Sequence, residues 1–207
     1  MNTHLQFLTA TEAKAVYKTY LKHHFPKDET KPWKSIERMW KRDEYFAVGI
    51  YEDDVSAGAD ALRGYAFFVE PQNCDACLLD YYAILPEYRS GGLGGRSLQE
   101  LAELCAQRGR YILLETEDLD FARNAAQTTA RKRRDAFYER NGCVKTDVKG
   151  SIFTVRYAVW CRGTPADLSD PADRDALFDR ACRDMNTLYR LMVPGEKNAL
   201  FVKIQRT

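Results

Sequence analysis

The segment Leu79-Asp-Tyr-Tyr-Ala-Ile-Leu-Pro-Glu-Tyr-Arg-Ser-Gly-Gly-Leu-Gly-Gly-Arg-Ser97 constrains this chain more than any other. It reads as a strand, a proline exit, a turn with four glycines in five residues, and a helix start. Glycines in such a turn let backbone N–H groups converge, and the following helix N-terminus adds partial positive charge. Phosphate is the natural guest of that arrangement. A turn that only joins a strand to a helix seldom needs so many glycines.

Around this segment the hydrophobic period alternates between strand and helix. Leu5–Leu8 reads as a strand, and Thr9 with Glu12 forms a capping box opening a helix towards Lys22. A short helix is expected over Trp33–Lys41. Strands are expected at Tyr45–Tyr51, Leu62–Glu70 and Cys77–Leu85, the first two joined by the polar stretch Glu52–Asp60. Next comes a helix with Leu98, Leu101, Ala102 and Cys105 on one stripe, closed near Gly109, and a strand at Tyr111–Glu115. Helix Phe121–Arg140, strand Ser151–Cys161, linker Thr164–Asp170, helix Pro171–Met192 and strand Asn198–Gln205 complete the reading. The last helix carries Phe178, Ala181, Cys182, Met185, Leu188, Tyr189 and Met192 on one face. The order specifies a mixed α/β (α+β) fold. Its central mixed sheet has an antiparallel meander in front and a βαβ unit in the middle, with helices on both faces. Residues 1–207 are expected to form a single domain, in which 151–207 adds a strand-helix-strand that completes the sheet.

Three known loops could use these glycines. A Walker A loop fails, because Gly95-Arg96-Ser97 has arginine in place of lysine and position 90 is serine. A dinucleotide fingerprint fits in part, with Gly92, Gly94 and Ser97 in the glycine slots, but the meander directly upstream argues against it. The third fits best. Arg89-Ser-Gly-Gly-Leu-Gly94, after Leu-Pro-Glu-Tyr, resembles the Arg/Gln-x-x-Gly-x-Gly/Ala signature of the GNAT N-acetyltransferase superfamily. Ala136-Phe-Tyr-Glu-Arg-Asn-Gly-Cys143 resembles that superfamily's second signature. The element order from Thr3 to Asn141 is similar as well.

This resemblance implies an acyltransferase that moves an acetyl group from acetyl-CoA to a primary amine by direct transfer in a ternary complex. It implies that Ala83 and Ile84 pair with the pantetheine arm, where neighbouring strands splay. It also implies that the backbone of Ser90, Gly91, Gly92, Leu93, Gly94 and Gly95 holds the pyrophosphate, with Arg89 and Arg96 flanking. Tyr138 matches the tyrosine that protonates the departing thiolate. One departure is Arg131, which stands where many relatives carry an asparagine contacting the coenzyme. A non-catalytic acyl-CoA-binding or regulatory module on the same fold is the alternative from another class.

An attacking amine must be neutral, so a proton acceptor is required. Asp80, Glu115, Glu117 and Glu70 are the candidates, with Asp80 and Glu115 foremost. Carboxylates at Asp80 and along Glu115-Thr-Glu-Asp118 would also favour a cationic small-molecule acceptor such as a polyamine, amino sugar or amino-acid amine. Capping of the next helix explains the same acidic residues equally well.

Lys+Arg (31) and Asp+Glu (30) leave a net charge of +1, which gives no field to gather nucleic acid or an anionic membrane. The run Arg131-Lys-Arg-Arg134 is by default a solvated helix face. No stretch reaches the ~20 apolar residues of a membrane span. The N-terminus lacks the basic region and apolar block of a secretory signal, so a cytoplasmic protein is expected. Six cysteines are then reduced thiols. Cys74-Asp-Ala-Cys77 precedes a strand and has no second pair, and His23 and His24 are adjacent, so no metal is expected. A small-molecule amine is the expected partner, with a homodimer left open.

Overall fold

The computed structural model describes residues 3–52, 61–164 and 168–207. It contains an eight-stranded mixed sheet with helices, and the chain divides into two compact units. Unit one is Met1–Gln72 with Leu79–Leu101, and unit two is Asn73–Leu78 with Ala102–Thr207. The polar stretch expected between the second and third strands falls mostly outside the described residues.

In the first unit, β1 (Thr3–Phe7) leads to α1 (Ala10–Val16). The capping box is present: the Thr9 hydroxyl accepts from the Glu12 N–H, and the Thr9 N–H donates to Glu12 Oε2 at 2.8 Å. The helix then widens into a π-helical turn, Tyr17–Leu21, and ends as α2 (Lys22–His24). After α3 (Trp33–Trp40) come β2 (Tyr45–Glu52) and β3 (Ala61–Val69), paired antiparallel with a register shift at Ile50/Tyr51. The order is β1-β2-β3-β4, where β4 is Ala76–Ile84. Tyr65, Phe67 and Phe68 of β3 are fully buried, so the meander is the core of this unit. β4 runs into the unit at Leu79, and α4 (Leu93–Gln107) leaves it after Leu101.

In the second unit the order is β4-β5-β7-β6-β8. The elements are β5 (Tyr111–Glu117), α5 (Ala125–Arg140), β6 (Val144–Ile152), β7 (Val155–Arg162), α6 (Pro171–Met192), α7 (Glu196–Phe201) and β8 (Val202–Arg206). Four sequence expectations are corrected here. The helix expected from Phe121 begins at Ala125, because the Asn124 side chain caps the Gln127 N–H and Leu119–Phe121 is a separate 3-10 turn. The single strand expected at Ser151–Cys161 is instead the end of β6, a hairpin turn with Phe153 at φ 51, and β7. Asn198–Phe201 is helical, and only Val202–Arg206 is strand. On α6 the buried stripe includes Leu177 and leaves out Phe178 and Cys182, both of which the sequence places on it. It also includes Asp184, which burial is able to hold because its carboxylate accepts from the Tyr111 hydroxyl at 2.7 Å.

Candidate functional site

The glycine loop lies in the first unit. Pro86–Tyr88 forms one 3-10 turn, and α4 begins at Leu93. Between them the left-handed positions are Ser90 (φ 70) and Gly92 (φ 78), while Gly91 adopts neither. A left-handed serine is strained, and such strain persists where the surrounding chain needs the shape. The geometry leaves donors unspent. Gly95 and Arg96 direct their N–H groups to the Gly92 carbonyl. Among the described residues, the N–H groups of Ser90, Gly91, Gly92, Leu93 and Gly94 donate to no other protein group. Five free donors on a turn that opens a fifteen-residue helix suit an anion.

The flanking arginines are occupied. Arg89 Nε donates to the Ile84 carbonyl at 2.8 Å. Arg96 donates to the Gly91 carbonyl and pairs with Glu52 at 2.9 Å. Both line an open cleft of about 500 Å³ with Glu52, Glu87, Tyr88, Gly91 and Leu93. Ile84 and Leu93 pack with Ile50 in a small apolar cluster, which fixes the loop against the strand end. Tyr82 donates to the Gly94 carbonyl and holds Ser97 at 2.7 Å.

Ala83 and Ile84 close β4 next to Gly64 of β3. A Cβ at Gly64 would come within 2.8 Å of the Ala83 carbonyl oxygen, so only glycine allows this approach. Within the second unit, the parallel ladder from β4 to β5 pairs Ala76–Leu78 with Tyr111–Leu113.

Asp80 is held from two sides. Lys31 Nζ lies 2.5 Å from Oδ1, and the Tyr45 hydroxyl donates to Oδ2 at 2.7 Å. The Asp80 side chain is 5% exposed and that of Lys31 25%. Lys31 is further fixed by its own N–H, which donates to the Tyr81 hydroxyl, and by its ammonium over the Tyr81 ring. Burial and the neighbouring Asp80 carboxylate push the Tyr45 phenol well up. Nothing in the sequence around Lys31 or Tyr45 announces this trio, because its members lie 35 and 49 positions from Asp80.

In the second unit, Tyr138 and Glu115 stand on opposite faces of the sheet. Trp160 and Thr116 face α5, where Thr116 bonds Asp135 and the Tyr138 ring lies 6.3 Å from that of Trp160. Glu115 points the other way, to α6, and accepts from the Tyr189 hydroxyl at 2.6 Å. Tyr138 is half-buried. Burial pushes its hydroxyl up to about 12 against the pull of Arg134, and among the described residues this hydroxyl makes no hydrogen bond. It is therefore a neutral phenol with its proton unengaged.

Glu117 and Asp118 are neutralised internally. Glu117 pairs with Arg131 at 2.6 Å and Arg134 at 3.3 Å. Asp118 pairs with Lys149 at 2.7 Å. Burial opposes ionisation of Asp118, but its bonds to Lys149 and the Asp120 N–H outweigh it and hold the carboxyl below its ordinary value. Glu70 is buried beside the Glu44 carbonyl that its N–H meets. Arg131 is buried too, and its guanidinium also donates to the Asp118 carbonyl, so this departure from the family pattern is a structural tie. Cys74 and Cys77 are buried thiols, and burial pushes Cys74 up to about 12. Among the described residues no three His, Cys, Asp or Glu side chains are grouped to hold a metal, and no helix is long and apolar enough to cross a membrane.

The fold agrees with solved acetyltransferases. A protein described as a GNAT-family acetyltransferase from Bacteroides thetaiotaomicron superposes with TM-score 0.61 at 20% identity, over 86% of this chain and 94% of that one. The ribosomal-protein-S18-alanine N-acetyltransferase from Escherichia coli gives TM-score 0.51 at 20% identity, over 77% and 92%. Spermidine N-acetyltransferase from Vibrio cholerae, in complex with CoA and spermine, gives 0.53 at 11%, over 77% and 94%. These likenesses are in fold. No curated protein matches by sequence. The sequence model of the Acetyltransferase (GNAT) family matches residues 13–142, more than half of the chain and drawn from both units. That match includes the first expected signature and all but the last residue of the second, and the chain belongs to the GNAT acetyltransferase family.

Proposed function

We propose that residues 1–207 act together as one enzyme that transfers the acetyl group of acetyl-CoA to a primary amine of a small molecule, within a ternary complex. The observation that carries this reading is a turn with five unspent N–H donors, opening a fifteen-residue helix directly after β4. The N–H groups of Ser90, Gly91, Gly92, Leu93 and Gly94 suit pyrophosphate oxygens, and that of Gly95 becomes available if its 3.1 Å bond to Gly92 yields. The backbone of Ala83 and Ile84, at the end of β4, suits the amides of the pantetheine arm. Arg89 and Arg96 add positive charge beside the loop. When bound, acetyl-CoA supplies an activated thioester.

The chain's own part is positioning and proton management. Tyr138 keeps its proton at neutral pH and donates it to the departing sulfur. The proton of the incoming amine goes to a carboxylate. Asp80 and Glu115 are the two candidates: Asp80 accepts from an ammonium and a phenol, and Glu115 accepts from the Tyr189 hydroxyl.

The acceptor is an amine. A spermidine N-acetyltransferase is among the structural neighbours, and a cationic acceptor is one candidate. The sequence argument for it loses force, however, because Asp80, Glu117 and Asp118 each hold an internal cation. A screen of primary amines with acetyl-CoA, read as CoA release, tests the proposal. At least one amine should release stoichiometric CoA and appear acetylated by mass. Coenzyme binding with no release across polyamines, amino sugars and amino acids would favour the non-catalytic module.

A further inference from the structure

Strands β6, β7 and β8 carry a polar face that the proposed chemistry leaves unused. Ser151 of β6 stands opposite Arg156 of β7 and opposite Lys203 of β8. Directly opposed residues of antiparallel strands project from the same face, so Arg156, Ser151 and Lys203 form one cross-strand row. Two residues along β6, Lys149 stands opposite Ala158 and Gln205 and adds a second row on that face. Neighbouring strands lie about 4.8 Å apart, so the two outer cations of the first row rise roughly 10 Å apart with a hydroxyl between them.

This row lines a cleft of about 330 Å³, walled also by Asp118, Asp120 and Phe121. Asp118 is committed to Lys149 at 2.7 Å. Among the described residues no carboxylate forms an ion pair with Arg156 or Lys203, and Asp120 is the other acidic side chain on the wall. The Arg156 guanidinium lies 5.4 Å from the centre of the Phe121 ring, which is 54% exposed. A merely solvated sheet face does not call for an open aromatic ring beside two cations in a concavity. An anion with an organic body does.

We propose that this cleft binds an oxyanion, carboxylate or phosphate, between Arg156 and Lys203, with the Ser151 hydroxyl as a third donor and Phe121 against the rest of the ligand. Two molecules could bring that group: an amine acceptor with an acidic function, or the coenzyme through a phosphate. The choice of source rests on the acetyltransferase reading; the cleft itself does not.

Inorganic phosphate is the first probe, titrated at constant ionic strength into isotope-labelled full-length protein. Saturable amide shifts are expected around Ser151, Arg156 and Lys203. Arg156→Gln/Lys203→Gln should weaken them at least about tenfold with an unaltered unfolding curve. Lys203→Gln alone serves if the double variant does not fold. Shifts that are absent, or equal in wild type and variant, overturn the inference.

The source is then read from constants. If the acceptor brings the anion, KM for amines bearing a carboxylate or phosphate rises roughly tenfold in the variant, while length-matched neutral amines keep theirs. If the coenzyme brings it, the variant binds acetyl-CoA more weakly but dephospho-CoA as before. Both sets unmoved would reduce the cleft to an adventitious phosphate site and overturn the proposal. Phosphate shifts without acetyl transfer to any amine would fail the enzyme reading and leave the cleft standing.

Discussion

Replacing Lys31 with methionine tests how Asp80 is held. The Asp80 side chain is 5% exposed and has two partners, Lys31 Nζ at 2.5 Å and the Tyr45 hydroxyl at 2.7 Å. Leaving a buried carboxylate without its cation costs about 3–5 kcal/mol when the site is dry. Lys31 is 25% exposed, so water partly replaces it and the expected loss falls to about 2–3 kcal/mol. Asp80→Asn removes the carboxylate facing the ammonium instead, at about 2 kcal/mol, since lysine reaches solvent more easily. The double variant removes both charges and should lose far less than the sum, leaving a coupling of about 1.5–3 kcal/mol. Urea unfolding of the four proteins, followed by tryptophan fluorescence with slopes checked for two-state behaviour, measures this directly. Additivity within about 0.5 kcal/mol would refute the buried-pair reasoning.

Tyr138→Phe keeps the ring against Trp160 and deletes the proton. Turnover with a responsive amine should fall by roughly 10²–10⁴ while calorimetric affinity for acetyl-CoA stays unchanged, and wild-type turnover would retire the acid role. Because the hydroxyl is pushed up to about 12, loss of this acid should contribute no fall in the wild-type rate up to about pH 10. Asp118 gives a pH signature in stability. Its folded carboxyl lies below the unfolded value of about 3.9, so its contribution is present above that pH and is lost as pH falls through the folded value. Asp118→Asn should therefore be less stable than wild type near pH 6 and converge with it on acidification, read from unfolding midpoints across pH 2.5–6.

The parts of the fold legible in the sequence are those written in local pattern. Thr9 and Glu12 announce their capping box, the meander announces itself by aromatic and β-branched runs, and Gly142 with φ 74 ends α5 at the expected stop. The β6 strand was harder to read. Val144, Thr146, Val148, Gly150 and Ile152 alternate with lysines, an aspartate and a serine, but threonine and glycine on the inner face weaken the apolar signal. The start of α5 depends on one side chain, Asn124, whose capping role competes with an upstream 3-10 turn.

Of the candidate site, the loop and Tyr138 stand out in the sequence because they follow short motifs. What the carboxylates do is not visible. Lys31 on Asp80, Tyr189 on Glu115 and Lys149 on Asp118 are partners 49, 74 and 31 residues away, brought together only by the fold. An acidic run that suggests a pocket for cations is therefore largely neutralised in the folded chain.

The central claim is that the loop Arg89–Gly95 holds acetyl-CoA, and calorimetry on two proteins tests it most directly. Gly92 has φ +78, and its Cβ position lies 3.3 Å from Arg96 Nη1, so Gly92→Glu brings strain and a carboxylate to the anion cradle. Gly109, with φ +71 and nothing within 4 Å, supplies a control for strain alone as Gly109→Glu. Wild type and Gly109→Glu should bind acetyl-CoA alike, and folded Gly92→Glu should bind at least about 30-fold more weakly, roughly 2 kcal/mol. Unchanged affinity in a folded Gly92→Glu protein, or no binding by wild type, would contradict the claim.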